Sequence, residues 1–264
     1  MIDNPRDPRI KQIARLAQKN DRTETGYFLL EGPQSVGEAL TWRPELVEEL
    51  FVTPTALERY PELREKAEAS GLEVEFASER VIDALSDTVT PQGVVAVCRQ
   101  FPTSVKDLLA GEPKLIVILE EVRDPGNAGT IIRAADSAGA DGVILSGRSV
   151  DLYNPKVVRS TTGSLFHLPV AVVPDLASVL TRVRAAGLQV LAADVKGDDL
   201  LSARPELAKP TAWLFGNEAR GLTDENLALA DRSIVVPIYG KAESMNLATA
   251  ASVCIYESAF AQVT

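Results

Sequence analysis

"KLIVILEEVRDPGNAGTIIRAAD", residues 114–136, decides how the chain is read. Its first half is a continuous apolar run, as expected of a strand buried on both faces. Its second half carries Ile131, Ile132, Ala134 and Ala135 at helical spacing, with a stop expected near Gly139. Strand, turn and helix in this order predict an α/β sheet with its ligand site beyond the strand ends. Gly126 and Gly129 are expected to let the backbone turn tightly, as in nucleotide-binding loops. The pattern is nevertheless not G-x-G-x-x-G, and "GVILSG" (142–147) ends in Ser-Gly where a ribose-binding acid would stand. A nicotinamide-dependent oxidoreductase is therefore disfavoured. The turn carries Asn127, and Arg133 follows near the helix N-terminus, where the macrodipole disfavours a cation. Such a guanidinium is either a surface group paired with Asp136 or Glu120, or is aimed at an anionic ligand above the strands.

Working outward, apolar segments alternate with helical ones to the C-terminus. "DGVILSG", "LQVLAADV", "TAWLFGNE" and "RSIVVPI" read as strands, and "SMNLATAASVCIYESAFAQ" as a long helix starting near Ser244 with Asn246 in its first turn. This predicts a mostly parallel sheet with helices on both faces over residues 114–264. Toward the N-terminus, "QFPTSVKDLLAGEP" (100–113) has two prolines and reads as a linker. Residues 1–99 alternate strands such as "YFLLEG" and "GVVAVCRQ" with helices such as "PQSVGEALTW" and "TALERYPELREKAEASG", which predicts a smaller α/β domain.

Composition narrows the class. Hydrophobic content of 45% and charged content of 24% are those of an ordinary globular protein. No apolar run is long enough to cross a bilayer and the start has no signal-peptide core, so a cytoplasmic protein is expected. Two cysteines and one histidine make neither a disulfide framework nor a zinc site, and no metal is expected. His167, between Phe166 and Leu168, is read as structural rather than as a general base. The net charge of −10 argues against nucleic acid, but the first 22 residues hold six basic groups against three acidic ones. Lys11, Arg15, Lys19 and Arg22 would share one helix stripe, with Ile10, Ile13, Ala14 and Ala17 forming much of the buried side. The stripe is either a solvated face or an RNA contact.

Two further stretches complete the pattern. "WLFGNEARGL" (213–222) runs a strand into Gly216, Asn217 and Glu218, where a carboxylate meets a ligand or caps a turn. "VVPIYGKAESMNLATAAS" (235–252) runs a strand end through a glycine loop into a helix rich in small residues. Together with "DPGNAGTIIRAAD" and "VVRSTTGSLFHLPV", these stretches resemble the SpoU (TrmH) family of SPOUT methyltransferases over roughly residues 114–260. "YFLLEGPQSVGEAL" and "TPQGVVAV" resemble the ribosomal-protein-like substrate-binding domain found in the same family.

The resemblance implies an enzyme that moves a methyl group from S-adenosylmethionine to a ribose 2′-hydroxyl of RNA, with ribosomal RNA the first choice and transfer RNA the second. It implies a trefoil-knotted cofactor site and a homodimer. By that likeness Arg133, Asn127, Glu218, Ser244 and Asn246 would be catalytic. Leu214, Phe215, Gly216, Asn217, Glu218, Ile238, Gly240, Met245, Asn246 and Leu247 would hold the cofactor. Lys11, Arg15, Lys19, Arg22, Arg123 and Arg159 are the expected RNA contacts. A non-catalytic RNA-binding protein of the same fold is the alternative, and the intact set Asn127, Arg133, Glu218, Ser244 and Asn246 argues against it.

Overall fold

The computed structural model describes residues 1–263, and these form two compact units. The first comprises Met1–Phe101 with Tyr153–His167; the second comprises Pro102–Leu152 with the chain from Leu168 onward.

The first unit opens with α1 (Pro8–Ala14) and α2 (Lys19–Thr25), joined by a 3-10 turn at Arg15–Ala17. These do not make one helix, and this corrects the expected basic stripe. Gln18 is extended, with φ −93° and ψ 138°. The Arg22 guanidinium turns back to donate to the carbonyls of Leu16 (2.9 Å) and Ala17 (2.7 Å), which lie at the end of the preceding turn. Leu16, rather than Ala17, is buried beside Ile10 and Ile13.

Strand β1 (Tyr27–Glu31) and α3 (Pro33–Trp42) follow, then β2 (Val47–Val52). The single helix expected over "TALERYPELREKAEASG" is two, α4 (Pro54–Arg59) and α5 (Glu62–Ala69), because Pro61 cannot continue the hydrogen-bond ladder. Strand β3 (Val74–Phe76), α6 (Glu79–Leu85) and β4 (Val94–Arg99) complete the sheet, in the order β1-β4-β2-β3. Ile10, Ile13 and Leu16 pack with Phe51, Val81, Ile82 and Val95 in its core.

The second unit begins with α7 (Val105–Leu108), β5 (Leu115–Glu120), α8 (Pro125–Ser137) and β6 (Gly142–Ser146). Val105 and Leu108, within the stretch read as a linker, are buried in this unit's core. The chain then supplies α9 (Pro155–Thr161) to the first unit, where the Tyr153 ring packs tilted against Phe28 and His167 meets Glu38 at 2.8 Å.

It returns with β7 (Val170–Val173), α10 (Leu176–Ala185), β8 (Gln189–Asp199), α11 (Leu200–Ala203), β9 (Thr211–Phe215), α12 (Asp224–Ala228), β10 (Arg232–Val235) and α13 (Leu247–Val263). The sheet order is β10-β8-β9-β5-β6-β7, and every neighbouring pair is parallel. The chain therefore walks outward from β5 to β7 and later fills the other side. The reversal lies between β5 and β9, which is where ligands sit in open parallel sheets. Leu119 pairs with Phe215, so both strands end at one level and their following loops meet. Helix α13 packs along α8 and against β9, where buried Trp213 donates from Nε1 to buried Ser258 at 2.9 Å.

Candidate active site

The site grows out of the end of β5. Helix α8 starts earlier than its apolar pattern indicates, because Asp124 caps it by accepting from the Asn127 N–H at 2.7 Å and Pro125 takes the first helical position. Gly126 and Gly129 are therefore helical, and neither makes the turn. The residue that turns is Glu121, with φ 51°, a left-handed conformation unusual for a side chain of its size.

The loop after β9 closes on this turn. Residues 217 and 221 bond to each other through their backbones in both directions, at 3.2 and 2.8 Å. Gly216 lies beneath this tight loop; a Cβ there would stand 2.5 Å from the carbonyl carbon of Gly221. The Asn217 side chain donates to the Glu121 carbonyl at 2.9 Å and accepts from the N–H groups of Ala219 and Arg220. The Glu218 carboxylate accepts from the backbone N–H of Asp124 at 2.9 Å and of Arg123 at 3.2 Å. It thus satisfies donors at the head of α8 and fixes that turn.

The third motif joins from the far end of the chain. Asn246 caps α13 rather than lying inside it, accepting from Ala248 (2.9 Å) and Thr249 (3.2 Å), and the helix starts at Leu247 instead of Ser244. Its amide then donates to the Asn127 side-chain oxygen at 3.0 Å, across 119 residues of sequence. Asn127, Glu218, Asn217 and Asn246 are so brought together through hydrogen bonds. Leu214 and Phe215 are buried in β9, Met245 and Leu247 are half-buried, and Ile238, Gly240 and Ser244 lie on an exposed loop. Arg133 is on the exposed face of α8, further along the helix.

Electrostatics at the rim centre on Glu121. Partial burial works to raise its pKa, but a hydrogen bond from Arg220 (2.6 Å) and the charges of Arg148 and Arg123 prevail and hold it below the usual carboxylate range. Glu120, inward in the sheet, is pushed up by burial although the Ser146 hydroxyl donates to it. Glu121, Asp124, Arg148 and Arg220 were not singled out from sequence. Asp-Pro before a helical run is a legible cap signal. The left-handed Glu121 has no local signal, because its conformation is imposed by the loop from β9.

Of the expected RNA contacts, Lys11 and Lys19 are exposed, Arg15 pairs with Asp21 at 2.7 Å, and Arg159 meets Asp87 at 3.2 Å. Arg22 is 2% exposed and its guanidinium is committed to main-chain carbonyls, which withdraws it from that set.

The backbone also fits a bound nucleoside. Among the described residues, no backbone–backbone hydrogen bond involves residues 238–245, so their N–H and C=O groups are open to a ligand. The missing Cβ at Gly216 keeps the neighbouring loop tight against the strand end.

The SpoU rRNA Methylase family matches residues 114–256, and the MRM3-like substrate binding domain matches residues 7–96. A 23S rRNA (guanosine(2553)-2′-O)-methyltransferase, RlmP, of Bacillus subtilis is 35% identical over 97% of both chains. The SpoU methyltransferase AviRb of Streptomyces viridochromogenes, solved with the cofactor AdoMet, superposes with a TM-score of 0.84 at 32% identity, covering 97% of this chain and 99% of that one. An AdoMet-bound rRNA methyltransferase from Sinorhizobium meliloti gives a TM-score of 0.81 at 33% identity, over 97% and 96%.

Proposed function

The chain belongs to the SpoU rRNA methylase family, and from that premise we propose that it methylates a ribose 2′-hydroxyl in large-subunit ribosomal RNA, using S-adenosylmethionine. The observation that carries the reading is the Asn127–Asn246 hydrogen bond, which ties the turn after β5 to the cap of α13 beside the carboxylate of Glu218.

S-adenosylmethionine supplies a methyl group already activated by its positive sulfur, so the chemistry left to the protein is placement of the hydroxyl. Backbone groups of residues 238–245 and of the 216–222 loop would hold the nucleoside, with Ile238, Met245 and Leu247 as its apolar surroundings and buried Leu214 and Phe215 supporting the loop from beneath. Asn127 offers the ribose both a donor and an acceptor, and its orientation is set by Asn246. Glu218 orients the turn that carries Asn127. Placement of this kind contributes about 7–11 kcal/mol in favourable intramolecular reactions.

Arg133 offers a planar fork of N–H donors and no acceptor. Its role is to hold the phosphate next to the target ribose and to stabilise the oxygen as its proton passes to water. Ser244 lines the methyl-transfer site from the exposed loop.

The loops after β9 and β10 form the trefoil knot of this fold, in our reading. The first unit recruits RNA through Lys11, Arg15, Lys19 and Arg159, and Arg123 does so from the second. The protein works as a homodimer in the cytoplasm, where its substrate is. Support for the dimer comes from α13, whose apolar residues surround its whole circumference and leave Phe260 and Val263 exposed beside an apolar groove of about 360 Å³.

The test is incubation with labelled S-adenosylmethionine and unmodified ribosomal RNA, followed by mass spectrometry of the fragments. One ribose-methylated nucleotide in the large-subunit RNA is expected. Label confined to transfer RNA, or a protein that binds NAD and not S-adenosylmethionine, would sink the proposal.

A further inference from the structure

Three guanidiniums converge on the strained residue at the site's rim. Glu121 is held left-handed by two contacts: its N–H donates to the Ser146 carbonyl at 3.2 Å, and its own carbonyl accepts from Asn217. Its carboxylate then faces Arg220 at 2.6 Å, Arg148 at 3.6 Å and Arg123 at 3.7 Å. The three arginines arrive from different segments, after β9, after β6 and after β5.

One carboxylate cannot neutralise three cations, so the cluster keeps a surplus of positive charge. The neighbouring carboxylates are engaged elsewhere, Glu120 on the Ser146 hydroxyl, Glu218 on backbone N–H groups and Asp124 on the cap of α8. The arginine side chains are 53%, 83% and 63% exposed for Arg123, Arg148 and Arg220, against 23% for Glu121. The carboxylate is therefore the inner hub and the guanidiniums face outward, each with donors to spare. Surface ion pairs add little stability, so they do not account for backbone strain kept at this point. Planar donors spaced around a fixed centre match the oxygens of phosphodiesters.

We propose that Glu121 gathers Arg123, Arg148 and Arg220 into a phosphate-binding site for an RNA strand entering the active site. This rests on RNA being the substrate. Glu121 is a positioning residue in it, and Arg148 and Arg220 are contacts beyond those the family resemblance implied.

The test measures binding of a fluorescein-labelled oligouridylate to the full chain across a salt series. Each phosphate contact to a single strand contributes about 0.7 to the slope of log K against log salt. Arg148→Ala/Arg220→Ala is expected to reduce that slope by about 1.4. Arg148→Ala alone should reduce it by about 0.7, and because this side chain is so exposed it keeps the test open if the double variant unfolds.

Glu121→Gln supplies a sign. It raises the net charge by one, so independent surface charges would bind RNA more tightly, whereas the positioning role requires weaker binding. Unchanged slopes, or tighter binding by Glu121→Gln, overturn the site. The measurement needs neither cofactor nor methyl transfer. A wild type that binds with a steep salt slope yet transfers no methyl would overturn the proposed reaction and leave the site standing.

Discussion

Arg133 and Asn127 share a helix but are held differently. Asn127 is fixed twice, by its own N–H on the Asp124 cap and by the Asn246 amide on its side chain. Arg133 stands on the exposed face, further along the helix. Arg133→Ala is expected to lower the rate of methyl transfer at least about 100-fold, the usual effect of losing one charge-stabilising donor. Cofactor affinity by calorimetry should stay within a few-fold. Near-normal turnover would remove Arg133 from the mechanism. The two cysteines have the opposite character: Cys98 and Cys254 are buried and burial pushes both thiols up, so neither is a nucleophile.

At the scale of elements, the loop after β9 depends on Gly216. A methyl group there would overlap the backbone of Gly221 and Leu222, which cannot move aside as a flexible side chain would. Gly216→Ala should cost about 3 kcal/mol or more, by the measure of overpacked sites, and should abolish cofactor binding; a thermal melt and calorimetry check this together.

The last helix is anchored by Arg204, which makes two 2.7 Å bonds to Glu257 and holds that carboxyl below its usual range. A folded pKa below the unfolded one means the stabilisation is fully present above the ordinary carboxylate range. It is lost as pH falls through the folded value. The melting difference between wild type and Glu257→Gln should accordingly be positive at neutral pH and vanish in acid.

Strands and their order of appearance were legible because apolar runs bounded by glycine and proline carry a strong signal. So were "GNE" after β9 and "MN" before α13, which sit where strands and helices change. The break between α1 and α2 is not legible in the pattern, because Arg22 folds back on the carbonyls of Leu16 and Ala17, a side-chain-to-main-chain contact that no apolar periodicity encodes. The transfer of α9 to the first unit was hidden for the same reason. Its buried Val157 and Val158 look like any apolar helix face until the partner surface is known.

At the scale of the whole molecule, a charge of −10 discourages RNA, so the binding proposed above is confined to local surplus such as Lys11 with Lys19, and the arginines around Glu121. The exposed apolar residues of α13 point to self-association. In the proposed dimer, whose interface includes exposed Phe260, Phe260→Glu should give a monomer in light scattering without loss of the folded signal. A dimer of unchanged mass would move the interface elsewhere.

The order in which the second sheet is filled has a consequence for how the chain comes into being. Strand β9 lies between β5 and β8, yet it is synthesised after both. Until residues 211–215 emerge, the apolar edges of β5 and β8 have no neighbour between them, and unpaired edges of this kind invite association with other chains. The bond from Asn246 to Asn127 can form later still, once residue 246 has emerged. Contacts this far apart in sequence make folding slow. A nascent chain stalled near residue 200 should therefore be a far better chaperone client than the finished protein.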